Sequence, residues 1–315
     1  MKITEILRIR ALALLALTLG SSAAGFAQDA PSPFEVLVLG SGGPGAAGRA
    51  ASSYLILIDG SARILVDAGP GSFVRLGEAQ ASLADTDIVL LTHLHIDHAG
   101  ELPGLFKARA VSSAGPIVFN VWGPVGAPGG GQNAYFPSTS GLMQSLFGPK
   151  GAYAYLRDFA SPMTLHAHDI KTPLKNAEPR QLLNHGGLSI TAIAGHHGDA
   201  PSVIYRIEHA GKSVTFSGDI DAAGLPALHR IARATDLLVF NSVVLDPPGS
   251  PAILYGLHTP PDVIGKLAQD AGVSALLLSH ISPAVEANRD AVLQSIRRHY
   301  PGAVTFAKDG MRMTP

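Results

Sequence analysis

The sequence predicts an α/β protein in which two β-sheets pack face to face with helices outside. Three observations point there. Short Val-, Ile- and Leu-rich runs come first in each half of the chain, and helical patterns come later. About 290 residues beyond a short leader suffice for one large domain with a full core. Polar, chemistry-bearing residues gather where the apolar runs end, as they do at strand ends in α/β proteins.

Residues 1–27 read as an export signal rather than as structure. Lys2, Arg8 and Arg10 form a basic start, and residues 11–20 are a short apolar core against the roughly 20 residues a membrane helix needs. Ser22-Ala23-Ala24 or Gly25-Phe26-Ala27 supplies small residues for cleavage. Residues 28–33 are a flexible lead-in, and 34–315 form a single domain. Strands are expected at 34–39, 53–58 and 63–67, the last two joined by an Asp59-Gly60 hairpin turn. A strand at 88–92, a helix at 101–111 and a strand at 117–122 follow. Residues 123–165 break this rhythm, with a loop at Pro128-Gly129-Gly130-Gly131 and helical content in 138–157. They read as an insertion, either a lid over the site or plain decoration of the fold. Strands at 188–194, 203–208 and 213–217 open the second half. A helix at 222–232, a strand at 236–240, a helix at 260–271, a strand at 275–279, a helix at 285–300 and a strand at 303–307 close it.

Residues 92–100, Thr-His-Leu-His-Ile-Asp-His-Ala-Gly, are the most informative stretch. His93, His95, Asp97 and His98 sit on the loop that leaves a buried strand. The chain has no cysteine, so imidazole and carboxylate are the ligands open to Zn2+. On a tight loop the two histidines of H-x-H can meet one ion while Asp97 and His98 face the other way, a pattern for two metals. Each ion needs three or four protein ligands plus water. Further candidates stand at strand ends: His196-His197, Asp219 and His280.

With these residues the chain resembles the metallo-β-lactamase-fold hydrolases over nearly all of its mature length. Asp67, in Leu65-Val-Asp-Ala-Gly69, looks like that superfamily's first motif, whose Asp braces the ligand loop. The resemblance implies an αββα sandwich of two mixed β-sheets with helices on the outer faces. It also implies two Zn2+ per chain, with Mn2+ or Fe2+ as substitutes. His93, His95 and His197 would hold one ion, Asp97, His98 and His280 the other, and Asp219 would bridge. His197 is preferred over His196 because His197-Gly-Asp-Ala-Pro201 and Tyr205-Arg206 are similar to a pattern of the ribonuclease Z, arylsulfatase-like and phosphodiesterase branch. Leu257-His258-Thr259 is similar to that branch's His-Ser/Thr-Thr segment and is expected to open the helix at 260–271. Asp97 and His258 are the expected catalytic residues. Asp97 handles the proton of the nucleophile, and His258 protonates the leaving group or holds the oxyanion.

Two features depart from ribonuclease Z. Asn241 stands where those enzymes carry Glu, and their long basic arm is not recognisable. Two other motifs are decoys. Gly40-Ser-Gly42-Gly-Pro-Gly45 fits a dinucleotide fingerprint, but a strand rather than a helix is expected after it. His166-Ala-His168-Asp169 imitates a ligand pair but leads into a Lys/Pro-rich loop and reads as solvated.

The expected activity is hydrolysis of a small ester, a phosphodiester first, by an exported dinuclear zinc enzyme in the periplasm or outside the cell. Sulfate-ester hydrolysis and lactone opening are alternatives, and a non-catalytic metal-binding protein of the same fold is the competitor from another class. Removing Lys2, Arg8, Arg10 and Glu5 from 23 basic and 24 acidic residues leaves 20 against 23, a formal charge of −3. That is no electrostatic footprint for nucleic acid. The expected partner is therefore a small-molecule ester, with no nucleic acid and no stable membrane insertion after signal cleavage; a homodimer stays open.

Overall fold

Alternation within the first strand sets the layering. In β1 (Phe34–Gly40), Val36 and Val38 face one way and Leu37 and Leu39 the other, and all four are fully buried. A strand covered on both faces belongs to a middle layer. The computed structural model describes residues 33–45, 47–128, 135–173 and 177–315. The export signal and most of the lead-in expected from the sequence lie outside the described residues.

Strands β2 (Ser53–Ile58), β3 (Ser61–Ala68), β4 (Ile88–Leu90) and β5 (Ile117–Pro124) follow β1. Next come a two-stranded hairpin, β6 (Ala127–Pro128) and β7 (Tyr135–Phe136), and then β8 (Met163–Ile170) and β9 (Arg180–His185). The chain continues through β10 (Leu188–Ala194), β11 (Val203–His209), β12 (Lys212–Phe216), β13 (Leu237–Asn241), β14 (Ala275–Ser279), β15 (Ala303–Phe306) and β16 (Arg312–Met313). One seven-stranded sheet has the order β16-β1-β2-β3-β4-β5-β8, and the other β15-β14-β13-β12-β11-β10-β9. Counted from β16 in the first and β9 in the second, each sheet runs through three antiparallel and then three parallel pairings. The two halves share a topology that no sequence repeat betrays.

Between the sheets lie Val36, Val38, Ile56, Ile64 and Leu90 from one side and Ile190, Tyr205, Ile207, Phe216 and Val239 from the other. Helices α1 (Ser72–Glu78), α2 (Ile96–Ala99), α3 (Leu102–Ser112) and α4 (Thr139–Phe147) add residues to the outer core of the first sheet. Phe106 of α3 stacks on Phe119 at 4.0 Å between centroids and meets Phe147 at 5.1 Å. Helices α5 (Leu225–Ile231), α6 (Pro261–Asp270), α7 (Pro283–Ala287) and α8 (Arg289–Arg297) cover the second sheet. Among the described residues, no helix is long and apolar enough to cross a membrane.

Several elements differ from the sequence reading. Strand β8 begins inside the stretch assigned to the insertion and contains His166, His168 and Asp169. These three are exposed, because β8 is an edge strand and its buried apolar ends are Met163 and Ile170. Such a strand lacks the apolar run that marks an interior one. The helix expected at 285–300 breaks at Asn288, whose backbone is not helical, into α7 and α8. Between β5 and β8, α4 packs onto the outer face of the first sheet, while the β6–β7 hairpin brings the Phe136 ring to 6.0 Å from that of His95.

Candidate metal centre

Six strands of the two sheets deliver their C-terminal ends to one place. Asp67 is the penultimate residue of β3, β4 leads into His93 and His95, and α2 adds Asp97 and His98. β10 leads to His197, β12 to Asp219, β13 ends in Asn241, and His280 directly follows β14. The pieces are held in tight geometry. Asp67 and His280 both sit at φ 54°, left-handed backbone that a non-glycine residue adopts at a cost. Asp67 accepts from the Thr92 backbone N–H at 2.7 Å, from Thr92 Oγ1 at 2.8 Å and from His98 Nδ1 at 2.7 Å. It thereby ties the start and the end of the ligand loop to β3.

Those outer bonds decide which nitrogens face inward. With Nδ1 of His98 on Asp67, its Nε2 points into the cluster, buried and without a hydrogen-bond partner. His197 Nδ1 donates to the Leu257 carbonyl at 2.9 Å, which leaves Nε2 inward. A ring whose outer nitrogen is bound to a carboxylate or carbonyl presents a lone pair at the other nitrogen, as metal-ligating histidines do. Asp219 divides the set. Its Oδ2 lies 3.5 Å from His197 Nε2 and 3.9 Å from His93 Nε2, while Oδ1 lies 3.5 Å from His280 Nε2 and 3.8 Å from His98 Nε2. His93 Nε2 is 3.1 Å from His95 Nδ1, and His280 Nε2 is 3.1 Å from Asp97 Oδ2. Four groups of donor atoms are each compact enough to hold one ion: His93, His95 and His197; Asp97, His98 and His280; His93, His98 and Asp219; and His197, Asp219 and His258.

The electrostatics suit a cation site. Burial would hold the Asp219 carboxyl up, but His280, His98, His93 and His197 outweigh it and keep it well below the usual carboxylate range. Asp97 is lowered as well, the hydrogen bond from His280 and the charge of His98 overcoming its burial. Burial lowers His93 far below its ordinary value and His95 less so. His98 goes the other way: the charges of Asp67 and Asp219 defeat burial and raise it to about 9. A site that draws a proton onto a buried imidazole this strongly also draws a metal cation.

The two adjacent histidines separate cleanly. His196 turns its Nδ1 to Asp221 at 2.7 Å, while His197 faces the cluster. His258 borders the same cavity, 5.3 Å from His197 and 6.0 Å from His280 between ring centroids. It does not open a helix, as the sequence reading expected. α6 starts at Pro261, and His258 follows a 3-10 turn at Ala252–Gly256. Burial, not a helix terminus, lowers its imidazole to about 4. Gly43 of the glycine-rich turn is needed where it is: a Cβ there would stand 2.1 Å from the His280 ring. Among the described residues no helix opens between β1 and β2, so the turn backs His280 of the candidate centre and does not fit a dinucleotide site.

Sequence reasoning missed three supports. Asn241 Nδ2 donates to Asp219 Oδ1 at 2.6 Å. Asp309 accepts from the backbone N–H groups of Ser41 and Ala50, at 3.0 and 2.8 Å, and pins the glycine-rich turn from the C-terminal end of the chain. Leu254 and Leu257 form an apolar wall beside the histidines. Only the run Leu-Tyr-Gly-Leu before His258 could have signalled that wall.

The family model of the Metallo-beta-lactamase superfamily matches residues 46–260. The chain belongs to the metallo-β-lactamase superfamily. This superfamily member is 28% identical over 244 residues to the ribonuclease Z of Mycobacterium sp. (strain KMS), over 74% of its own length and 78% of the relative's. It is also 28% identical over 261 residues to that of Mycolicibacterium paratuberculosis (strain ATCC BAA-968 / K-10), over 79% and 87%. Among solved structures it is similar to the short form of human tRNase Z, ELAC1, with a TM-score of 0.65 at 20% identity over 89% of this chain and 98% of that one. YhfI of Bacillus subtilis, a metallo-β-lactamase fold protein, gives 0.63 at 21% identity over the same shares. The curated relatives support the ribonuclease Z side of the superfamily, the solved structures share the fold, and the chain is a hydrolase of this metallo-β-lactamase group. They also overturn the exclusion of nucleic acid drawn from net charge, because the curated relatives are ribonucleases. Formal charge governs long-range attraction to a polyanion; it says nothing about whether a buried centre can cut a phosphodiester once it is reached.

Proposed function

We propose that this superfamily member is a dinuclear zinc hydrolase of phosphodiesters, with RNA phosphodiesters among its candidate substrates. The observation that carries the reading is the division of Asp219, one oxygen toward His93 and His197 and the other toward His98 and His280. His93, His95 and His197 would hold one ion, Asp97, His98 and His280 the second, and Asp219 both. Bound zinc supplies Lewis acidity, lowers the pKa of water and stabilises charge that develops in the transition state.

The chain's own groups do the rest. Asp97 lines the cavity while its Oδ2 faces His280, so Oδ1 is the atom left to take the proton of the attacking water. His258 is neutral at pH 7 because its pKa lies near 4. It therefore serves through an N–H hydrogen bond to the leaving oxygen and not as a mobile proton donor. Asn241 and Asp67 hold Asp219 and His98 in place before substrate arrives. Hydrolysis of bis-aryl phosphodiesters, RNA oligonucleotides, aryl sulfates and lactones by the zinc-loaded protein tests the reading. Phosphodiester turnover that a chelator abolishes and zinc restores supports it. Turnover confined to sulfates or lactones would replace it.

A further inference from the structure

We infer that the cavity beside the metal centre is a subsite for a compact apolar substituent of the ester, an alkyl or aryl group; the inference rests on the ester-hydrolase reading above. The cavity measures about 370 Å³ and has two unlike walls. His95, Asp97, His197, Asp219, His258 and His280 make one. Pro44, Val243, Leu254, Leu257, Ile281 and Pro283 supply the apolar side chains of the other, and the backbone of the glycine-rich turn also lines the cavity.

Two polar groups beside these apolar side chains are already committed. Ser282 Oγ donates to the Val243 carbonyl at 2.6 Å, and the Leu257 carbonyl accepts from His197. Arg49 is the cavity's charged side chain outside the candidate metal centre and its bordering His258. It is anchored on Ser41 Oγ at 2.6 Å, the Ala307 carbonyl at 2.9 Å and Glu286 at 2.6 Å. The side chains of Pro44, Val243, Leu254, Leu257, Ile281 and Pro283 carry no hydroxyl, amide or carboxylate. A polar substituent placed against these side chains gives up water and receives no hydrogen bond from them in return, whereas an apolar one gains by burial. Leu254 sits on the 3-10 turn Ala252–Gly256, and its neighbour Ile253 is 78% exposed, so the apolar surface continues outward along the turn. The Leu257 carbonyl links this wall directly to His197, so a group seated there lies next to the metal-facing imidazoles and not at a remote site.

Methyl-, ethyl-, propyl- and butylphosphonate test the subsite by calorimetric titration into zinc-loaded protein, without any need for turnover. The phosphonate reads the metal centre and the chain reads the wall. Kd should fall about four-fold for each added methylene. In Leu254→Asn the trend should flatten while methylphosphonate binds as before. Equal affinity for all four, or tighter binding of 3-hydroxypropylphosphonate than of propylphosphonate, would overturn the subsite and leave the metal-centre reading standing. Failure of every phosphonate to bind would overturn both.

Discussion

The amide of Asn241 donates to Oδ1 of Asp219 across 2.6 Å, both side chains buried at the ends of neighbouring strands. The sequence marked Asn241 only as a departure, an amide where ribonuclease Z carries a carboxylate. In the structure it orients the one carboxylate that faces both histidine groups. Asn241→Leu removes that donor and keeps an apolar residue in the strand. Zinc affinity, measured by chelator competition, should fall about 10- to 100-fold. Unchanged affinity would show that Asp219 is held by its other neighbours alone.

His258 lies at the centre's edge with Nδ1 buried and unpartnered, and its pKa is near 4. As a hydrogen-bond donor to the leaving oxygen it contributes to rate but not to metal binding. His258→Ala should retain its zinc and lose about 10²- to 10³-fold in kcat. Because the imidazole stays neutral across pH 5–8, the pH profile of the unaltered enzyme should show no inflection near 6.5 that disappears in His258→Ala. Such an inflection would make His258 a proton donor after all.

The layered fold was legible in the sequence because β1, β2 and β3 are apolar on both faces. The clustering of the histidines was legible because their spacing on one loop is so dense. The edges were not. β8 and β9 alternate weakly and carry His166, His168 and Gln181 toward solvent, so nothing in their composition separates them from loop. The role of Asn241 was equally hidden, since it depends on β13 lying beside β12, a relation between strands and not a local pattern. Net charge misled about nucleic acid, being a property of the surface as a whole.

His98 in the metal-free protein keeps a proton up to about 9, above its ordinary 6.5. A raised value means that the charged form stabilises the fold. This contribution is fully present below pH 6.5 and is lost as pH rises through 9. His93 and His258 are lowered and act on the acid side, where stability falls as pH drops below 6.5. Between pH 6.5 and 9 the denaturation midpoint of metal-free protein should therefore decline, and zinc binding at pH 7 should release a proton. A midpoint rising over that interval, or binding without proton release, would contradict the assignment.

His196 and His197 are adjacent and face different partners, Asp221 and Asp219 respectively. His197→Ala should lose zinc from its group, whereas His196→Ala should keep both ions and lose only one of the bonds between its loop and Asp221, the Gly198 N–H bond remaining. Equal loss of metal from the two variants would show the assignment to be wrong.

Metal content tests the central claim most directly. Elemental analysis of purified protein, dialysed after zinc loading, should find close to two zinc ions per chain, and Asp219→Ala should lower the affinity of both. One ion per chain in the parent, or an Asp219→Ala variant that still binds two with parental affinity, would contradict a bridged pair. Full hydrolytic activity with no metal bound would contradict the metal centre altogether.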